Sequence, residues 1–219
     1  MKTGIIFDMD GTLWDCASEV AAAWSQVTVS ELGRTVTKED LYRTMGMPMD
    51  ELAKAIFPDY ELSELLPVFE EGYQRENDYL RRHGATLYPD LADTVCLLAE
   101  TYPLYIVSNC QEGYIEAFLD HYHLERFFED FICHGTNHLP KADNIALIIA
   151  RNHLDRGIYV GDIQADYEAA LAGGAEFIHA SYGFGTIQAD VPAIACFREL
   201  PEVLKNMIPQ EPSANCKNA

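Results

Sequence analysis

Asp8 and Asp10 stand one residue apart, directly behind the apolar run Ile5-Ile6-Phe7 and ahead of Gly11 and Thr12. Carboxylates this close repel one another unless a cation or a shared proton compensates. A hard divalent ion such as Mg²⁺ suits oxygen ligands, and no His or Cys cluster lies nearby to favour a softer metal. Gly11 and Thr12 allow a tight turn whose main-chain N–H groups are expected to be free for an anion. Three stretches downstream carry matching chemistry. Ser108 and Asn109 follow the apolar segment LYIV, where the serine hydroxyl can donate a hydrogen bond to an anionic oxygen. Lys141, just after Pro140, opens an expected helix; its charge opposes the helix dipole there, so a negative group is expected beside it. Gly161, Asp162 and Asp166 follow the apolar segment IYV in the string GDIQAD. That spacing is expected to bring Asp162 beside Asp8 and to set Asp166 in the first turn of the next helix, where negative charge is favoured. Each feature alone also describes a polar turn or a solvated side chain. Their repeated position at the ends of apolar segments sets them apart.

The elements that must hold these residues follow from periodicity. A buried strand ends at Phe7, and in an open parallel sheet the carboxyl ends of strands face the ligand crevice. From residue 89 onward helical and strand patterns alternate: helix 90–100, strand 104–107, helix 113–121, strand 131–133, helix 141–152, strand 157–160, helix 165–171 and strand 176–180. Such alternation predicts βαβ units, a parallel Rossmann-like sheet with helices on both faces. Between residues 16 and 86 no strand pattern occurs. Val20, Ala23, Trp24, Val27 and Leu32 recur at helical spacing before Gly33, Thr37 with Asp40 predicts a capping box, and further helices are expected over 38–44, 49–56 and 62–82. An all-helical domain, 16–86, is therefore expected to be inserted into a discontinuous core domain formed by 1–15 and 87–208, with 209–219 a polar, disordered tail.

At 219 residues the chain is long enough to bury about 70 % of its unfolded surface. A formal net charge of −20 argues against nucleic acid and anionic membrane surfaces as partners. Screening over a Debye length of about 8 Å leaves local charges to decide whether a phosphate can bind. No apolar run approaches a membrane span, and a strand this near the start is expected to leave no room for a signal peptide, which points to the cytoplasm. The six cysteines form no CxxC pair and are expected to be reduced, with Cys110 the one to watch because it follows Ser108 so closely. His121, His123, His134 and His138 lack zinc spacing, and Glu70-Glu71 is expected on a solvated face.

DMDGTL, the strand ending in Ser108-Asn109, Lys141 and GDIQAD resemble, in order, the motifs of the haloacid dehalogenase superfamily of phosphohydrolases, with the helical insert in the place of a C1 cap. The resemblance spans nearly the whole chain; Ala142 departs from it, standing where a proline usually follows the motif lysine. It implies a Mg²⁺-dependent, phosphoglycolate phosphatase-like enzyme acting on a small phosphorylated metabolite. Asp8 would be the nucleophile, forming an aspartyl-phosphate, and Asp10 the general acid and base, its pKa raised relative to Asp8. Asp8, the Asp10 carbonyl and Asp162 would hold the metal, with Asp166 orienting Lys141 or a metal-bound water. Ser108, Asn109, Lys141, Gly11 and Thr12 would bind phosphate, and Arg43, Met45 and Gly46 in the cap are candidate substrate contacts. Val20 stands where the family's phosphomutases place a histidine, which counts against mutase chemistry, and Asp10 is the acid that dehalogenases lack. A sugar-phosphate mutase and a non-catalytic binding module are the alternatives.

Overall fold

The computed structural model describes residues 1–208, so the tail expected to be disordered lies outside the described residues. In chain order the elements begin with β1 (Thr3–Phe7) and β2 (Trp14–Asp15), followed by α1 (Ala17–Leu32), α2 (Lys38–Thr44), α3 (Met49–Ile56) and α4 (Leu62–His83). After β3 (Thr86–Leu87) the chain alternates through α5 (Leu91–Ala99), β4 (Leu104–Ser108), α6 (Tyr114–Tyr122), β5 (Phe128–Cys133) and α7 (His134–Asn137). It continues through α8 (Lys141–Arg151), β6 (Arg156–Gly161), α9 (Gln164–Ala172), β7 (Glu176–Ala180), β8 (Ala193–Ile194) and α10 (Leu200–Met207).

Every residue of β1 is buried, because the strand is central: β4 flanks it on one side and β6 on the other, both parallel. The sheet order is β5-β4-β1-β6-β7-β8. The connections leave β1 in opposite directions, and a sheet that reverses its strand order in this way opens a crevice at the carboxyl ends. Phe7 lies opposite Ile106 and Val160. Asp8, Ser108 and Asp162 consequently leave the sheet at nearly one level, on three adjacent strands. Burying Ile5, Ile6 and Phe7 completely contributes roughly 1.5–3 kcal/mol each, so the support beneath Asp8 is stiff.

Helices α1–α4, the segment expected as the cap, pack on one another, with α1 against α4 as the main contact. Trp24 of α1 fits edge-on against Phe69, at 5.0 Å between ring centroids, and lies beside Gly72. The capping box forms: the Thr37 hydroxyl accepts from Asp40 N at 3.1 Å, and Thr37 N donates to Asp40 Oδ2 at 3.0 Å. Glu70 and Glu71 are exposed.

Three differences from the sequence-based expectation have physical reasons. Thr86 and Leu87 pair antiparallel with Asp15 and Trp14, making a two-residue ladder where the chain enters and leaves the cap, too short to register as a strand pattern. β5 starts at Phe128 rather than 131, because Glu129 and Asp130 interrupt the apolar run on an edge strand, where polar residues reach solvent and Asp130 pairs with Arg151. β8 and α10, which close the sheet's far edge, carry few apolar signals: α10 buries Leu200 and Leu204 alone. No helix among the described residues is long and apolar enough to cross a membrane.

Candidate active site

Asp8 emerges from β1 and is 2 % exposed. Lys141, the first residue of α8, reaches it with Nζ 2.9 Å from Asp8 Oδ1 and 2.6 Å from Asp166 Oδ1. The charge that the helix N-terminus disfavours is thus compensated twice. Asp166 uses its other oxygen to accept from the main-chain N–H groups of Asp162 and Ile163, at 3.1 and 3.2 Å, so it fixes both the lysine and the loop carrying Asp162. Asp162 in turn accepts from Thr12 Oγ1 at 3.4 Å and from Phe184 N at 2.7 Å.

Oxygens of Asp8, Asp162 and Asp166 all lie within 4.8 Å of one another, with all three residues buried. Burial, followed by the charge of Asp166, pushes the Asp8 carboxyl up to about 7 against the pull of Lys141. Burial and then the charges of Asp166 and Asp8 push Asp162 up to about 8. Burial alone would lower Lys141, yet the two carboxylates outweigh it and hold the ammonium well above the usual lysine range. Three acids against one ammonium leave an excess of negative charge, which a hard divalent cation on oxygen ligands would balance. The residues present fit Mg²⁺.

Asp10 has different company. Its Oδ1 accepts from Tyr114 Oη at 2.6 Å, Trp14 Nε1 at 2.9 Å and Cys16 Sγ at 3.0 Å, which fixes the carboxyl in place. Burial raises its pKa, and those three hydrogen bonds oppose the rise. Asp8, Asp10, Ser108, Asn109 and Cys110 line one cavity between core and cap, and Val20, Met45 and Gly46 of the cap line its other side. Asn109 Nδ2 donates to the Gly46 carbonyl at 2.7 Å, tying the two parts together over the site. The buried Asn109 Oδ1 has no hydrogen-bond partner.

Two sequence-based expectations are corrected. The N–H groups of Gly11 and Thr12 are not free for an anion: they donate to the carbonyls of Trp14 and Met9, at 3.0 and 3.2 Å, closing the turn on itself. Gly11 serves close approach instead. At φ +83° it lies so near Asp162 that a Cβ would sit 2.2 Å from Oδ2. Arg43 does not line the cavity; its guanidinium is exposed and ion-paired with Asp40 in its own helix.

Other contributors had not been singled out for these roles. Tyr114 and Cys16 hold Asp10, and nothing in the spacing of a lone tyrosine or cysteine points there. Tyr182, Gly183 and Phe184 cover Asp162: Tyr182 Oη donates to the Thr12 carbonyl at 2.8 Å, and a Cβ on Gly183 would fall 2.4 Å from Asp162 Cβ. The glycine pair in YGFG was the available signal. Trp24 and Glu76 of the cap and Gln111 of the core also line the cavity.

Comparison with known proteins agrees with this architecture. A phosphoglycolate phosphatase of Aquifex aeolicus is 26 % identical over 213 residues, covering 93 % of this chain and 97 % of that one. A phosphoglycolate phosphatase of Pseudomonas syringae pv. syringae is 26 % identical over 195 residues, covering 82 % and 70 %. The fold is shared with a haloacid dehalogenase-like family hydrolase from Streptococcus pneumoniae, with a TM-score of 0.74, 24 % identity, and coverage of 93 % and 99 %. The sequence model of the haloacid dehalogenase-like hydrolases matches residues 5–180, and the chain belongs to that family.

Proposed function

We propose that the chain is a Mg²⁺-dependent phosphatase that hydrolyses a small phosphate monoester through an aspartyl-phosphate on Asp8. The observation that carries this reading is the placing of two acids with different partners in one cavity: Asp8 against Lys141, and Asp10 against Tyr114, Trp14 and Cys16. The relatives named phosphoglycolate phosphatase support the class of substrate.

In the first half-reaction an Asp8 oxygen attacks phosphorus while the bond from phosphorus to the ester oxygen breaks. Asp10, whose pKa burial raises against the hydrogen bonds of Tyr114, Cys16 and Trp14, gives its proton to the departing alcohol. In the second, Asp10 takes a proton from water, the water oxygen attacks phosphorus, and the bond to Asp8 breaks to release inorganic phosphate. Ser108 and Lys141 orient the phosphoryl oxygens, and Asn109, with its free Oδ1, borders the same space. Asp8, the Asp10 carbonyl and Asp162 would hold Mg²⁺, which when bound supplies the positive charge that lets a carboxylate approach a phosphate dianion. Closure of the cap excludes bulk water from the intermediate. Val20, an apolar side chain in the cavity, offers no proton relay for returning the phosphoryl group to a second hydroxyl, which favours hydrolysis over mutase chemistry.

The test is release of inorganic phosphate from a panel of small phosphate monoesters, with and without Mg²⁺, using the wild type and Asp8→Asn. Mg²⁺-dependent release that falls by several orders of magnitude in the variant is expected. Retention of more than about a tenth of the activity removes Asp8 from the nucleophile's role.

A further inference from the structure

The wall of the cavity that faces the departing alcohol carries Glu76 and no Lys, Arg or His. Glu76 lies on α4 and is 3 % exposed, and its Oε2 accepts the Trp24 indole N–H. No cation among the described residues pairs with it: the ion pairs of α4 are made by Glu71, Asp78, Arg75, Arg81 and Arg82, all on exposed surface. Burial, with the charge of Asp10, pushes its carboxyl up to about 8, only partly relieved by hydrogen bonding to the Trp24 indole and Gln111. A buried carboxyl that lines a cavity and has no cationic neighbour can serve as the partner of a cationic group that enters it.

The approach to the cavity carries the same sign. A larger groove of ≈ 950 Å³ shares Met49, Asn109 and Gln111 with the inner cavity. Its rim presents Asp50, Glu51, Glu70 and Glu112, with His134, His138 and the acid-paired Lys141 on the core side. A substrate whose leaving group is a carboxylate would cross this acidic rim and end beside Glu76 with nothing basic to receive it. An ammonium group would be drawn in by the rim and paired at the inner wall. The inner cavity is small, ≈ 30 Å³.

We infer that the preferred substrate is a short amino-alcohol phosphate, its phosphoryl group on Asp8 and its ammonium on Glu76, and that short carboxylated phosphate esters are poor substrates. This rests on the phosphatase reading above and narrows it to one class of leaving group.

Three esters of equal length separate the charge from everything else: 2-aminoethyl phosphate, 2-hydroxyethyl phosphate and 2-phosphoglycolate. With the wild-type protein and Mg²⁺, kcat/KM is expected to fall in that order, the first exceeding the last by about a hundredfold or more, a ratio equivalent to about 2.7 kcal/mol of transition-state discrimination. In Glu76→Gln, kcat/KM for the aminoethyl ester is expected to drop at least tenfold more than that for the hydroxyethyl ester. Equal turnover of the three by the wild type, or preference for 2-phosphoglycolate, overturns the inference while leaving the phosphatase reading in place. An unchanged ratio in a folded Glu76→Gln protein also overturns it. No phosphate release from any of the three overturns the phosphatase reading and this inference with it. The wild-type ranking stands as a test even where the variant does not fold.

Discussion

Lys141 Nζ lies between Asp8 Oδ1 and Asp166 Oδ1, at 2.9 and 2.6 Å, and is, among the described residues, the one ammonium bonded to these buried acids. Removing one partner of a buried ionic network leaves the others without compensation and typically costs about 3–5 kcal/mol. Lys141→Met keeps much of the side-chain volume while deleting the charge. It is expected to lower the unfolding free energy by about that amount in urea, measured without metal. A loss below about 1 kcal/mol would mean that the acids relax by taking up protons, and that the lysine is not their principal counter-charge.

A divalent cation should relieve the same crowding. Burial and mutual repulsion hold Asp8 at about 7 and Asp162 at about 8, so both gain from a positive charge set between them. Mg²⁺ at a hundred times its dissociation constant would stabilise the fold by about 2.7 kcal/mol. For a chain of this size that raises Tm by roughly 5–10 °C. The rise should saturate with Mg²⁺ at constant ionic strength and be lost in Asp162→Asn. A linear, unsaturable rise shared by that variant would instead indicate screening of the net charge of −20.

Gly11 gives the turn its shape and Asp162 its room. A side chain there faces both a φ of +83° and a Cβ position 2.2 Å from Asp162 Oδ2. Gly11→Ala should therefore cost about 2 kcal/mol or more and displace the Asp162 carboxylate, weakening the thermal response to Mg²⁺ in step. Unaltered stability together with an unaltered response would show that the turn can reshape without disturbing the acid.

The core was legible because its chemistry and its periodicity coincide. Asp8, Ser108 and Asp162 each follow a run of residues that is apolar because its strand is buried, so the pattern that marks the strand also marks where it ends. Lys141 was legible through an electrostatic conflict at a helix start. Tyr114 and Cys16 were not, since their contact with Asp10 depends on how α6 and α1 pack, and helix packing leaves no local signature in either residue. Arg43 misled for a related reason. Sequence proximity to Met45 and Gly46 suggested a shared wall, but its exposed guanidinium pairs with the buried Asp40 instead. Glu76 was hidden by its setting, one acid among many on a long polar helix, and only the fold distinguishes it from the exposed Glu70 and Glu71.

Glu76 also leaves a mark on stability that can be measured without any substrate. Its carboxyl is pushed up to about 8 by burial, against about 4.5 for an unburied glutamate. Between those values the folded protein holds a proton at this site that the unfolded chain has released, so the group's contribution to stability falls as pH rises through that window and levels off above it. Glu76→Gln carries no such titration. Relative to the wild type it should be nearly neutral in effect near pH 4.5 and stabilising by a few kcal/mol at pH 8.5, as read from urea midpoints across that range. The comparison between the two proteins cancels the parallel titrations of Asp8 and Asp162, which both share; Asp10, whose charge raises Glu76, is the acid coupled to it. A difference that stays flat across the range would mean that Glu76 is ionised in the folded protein at all these pH values, with a positive partner already beside it.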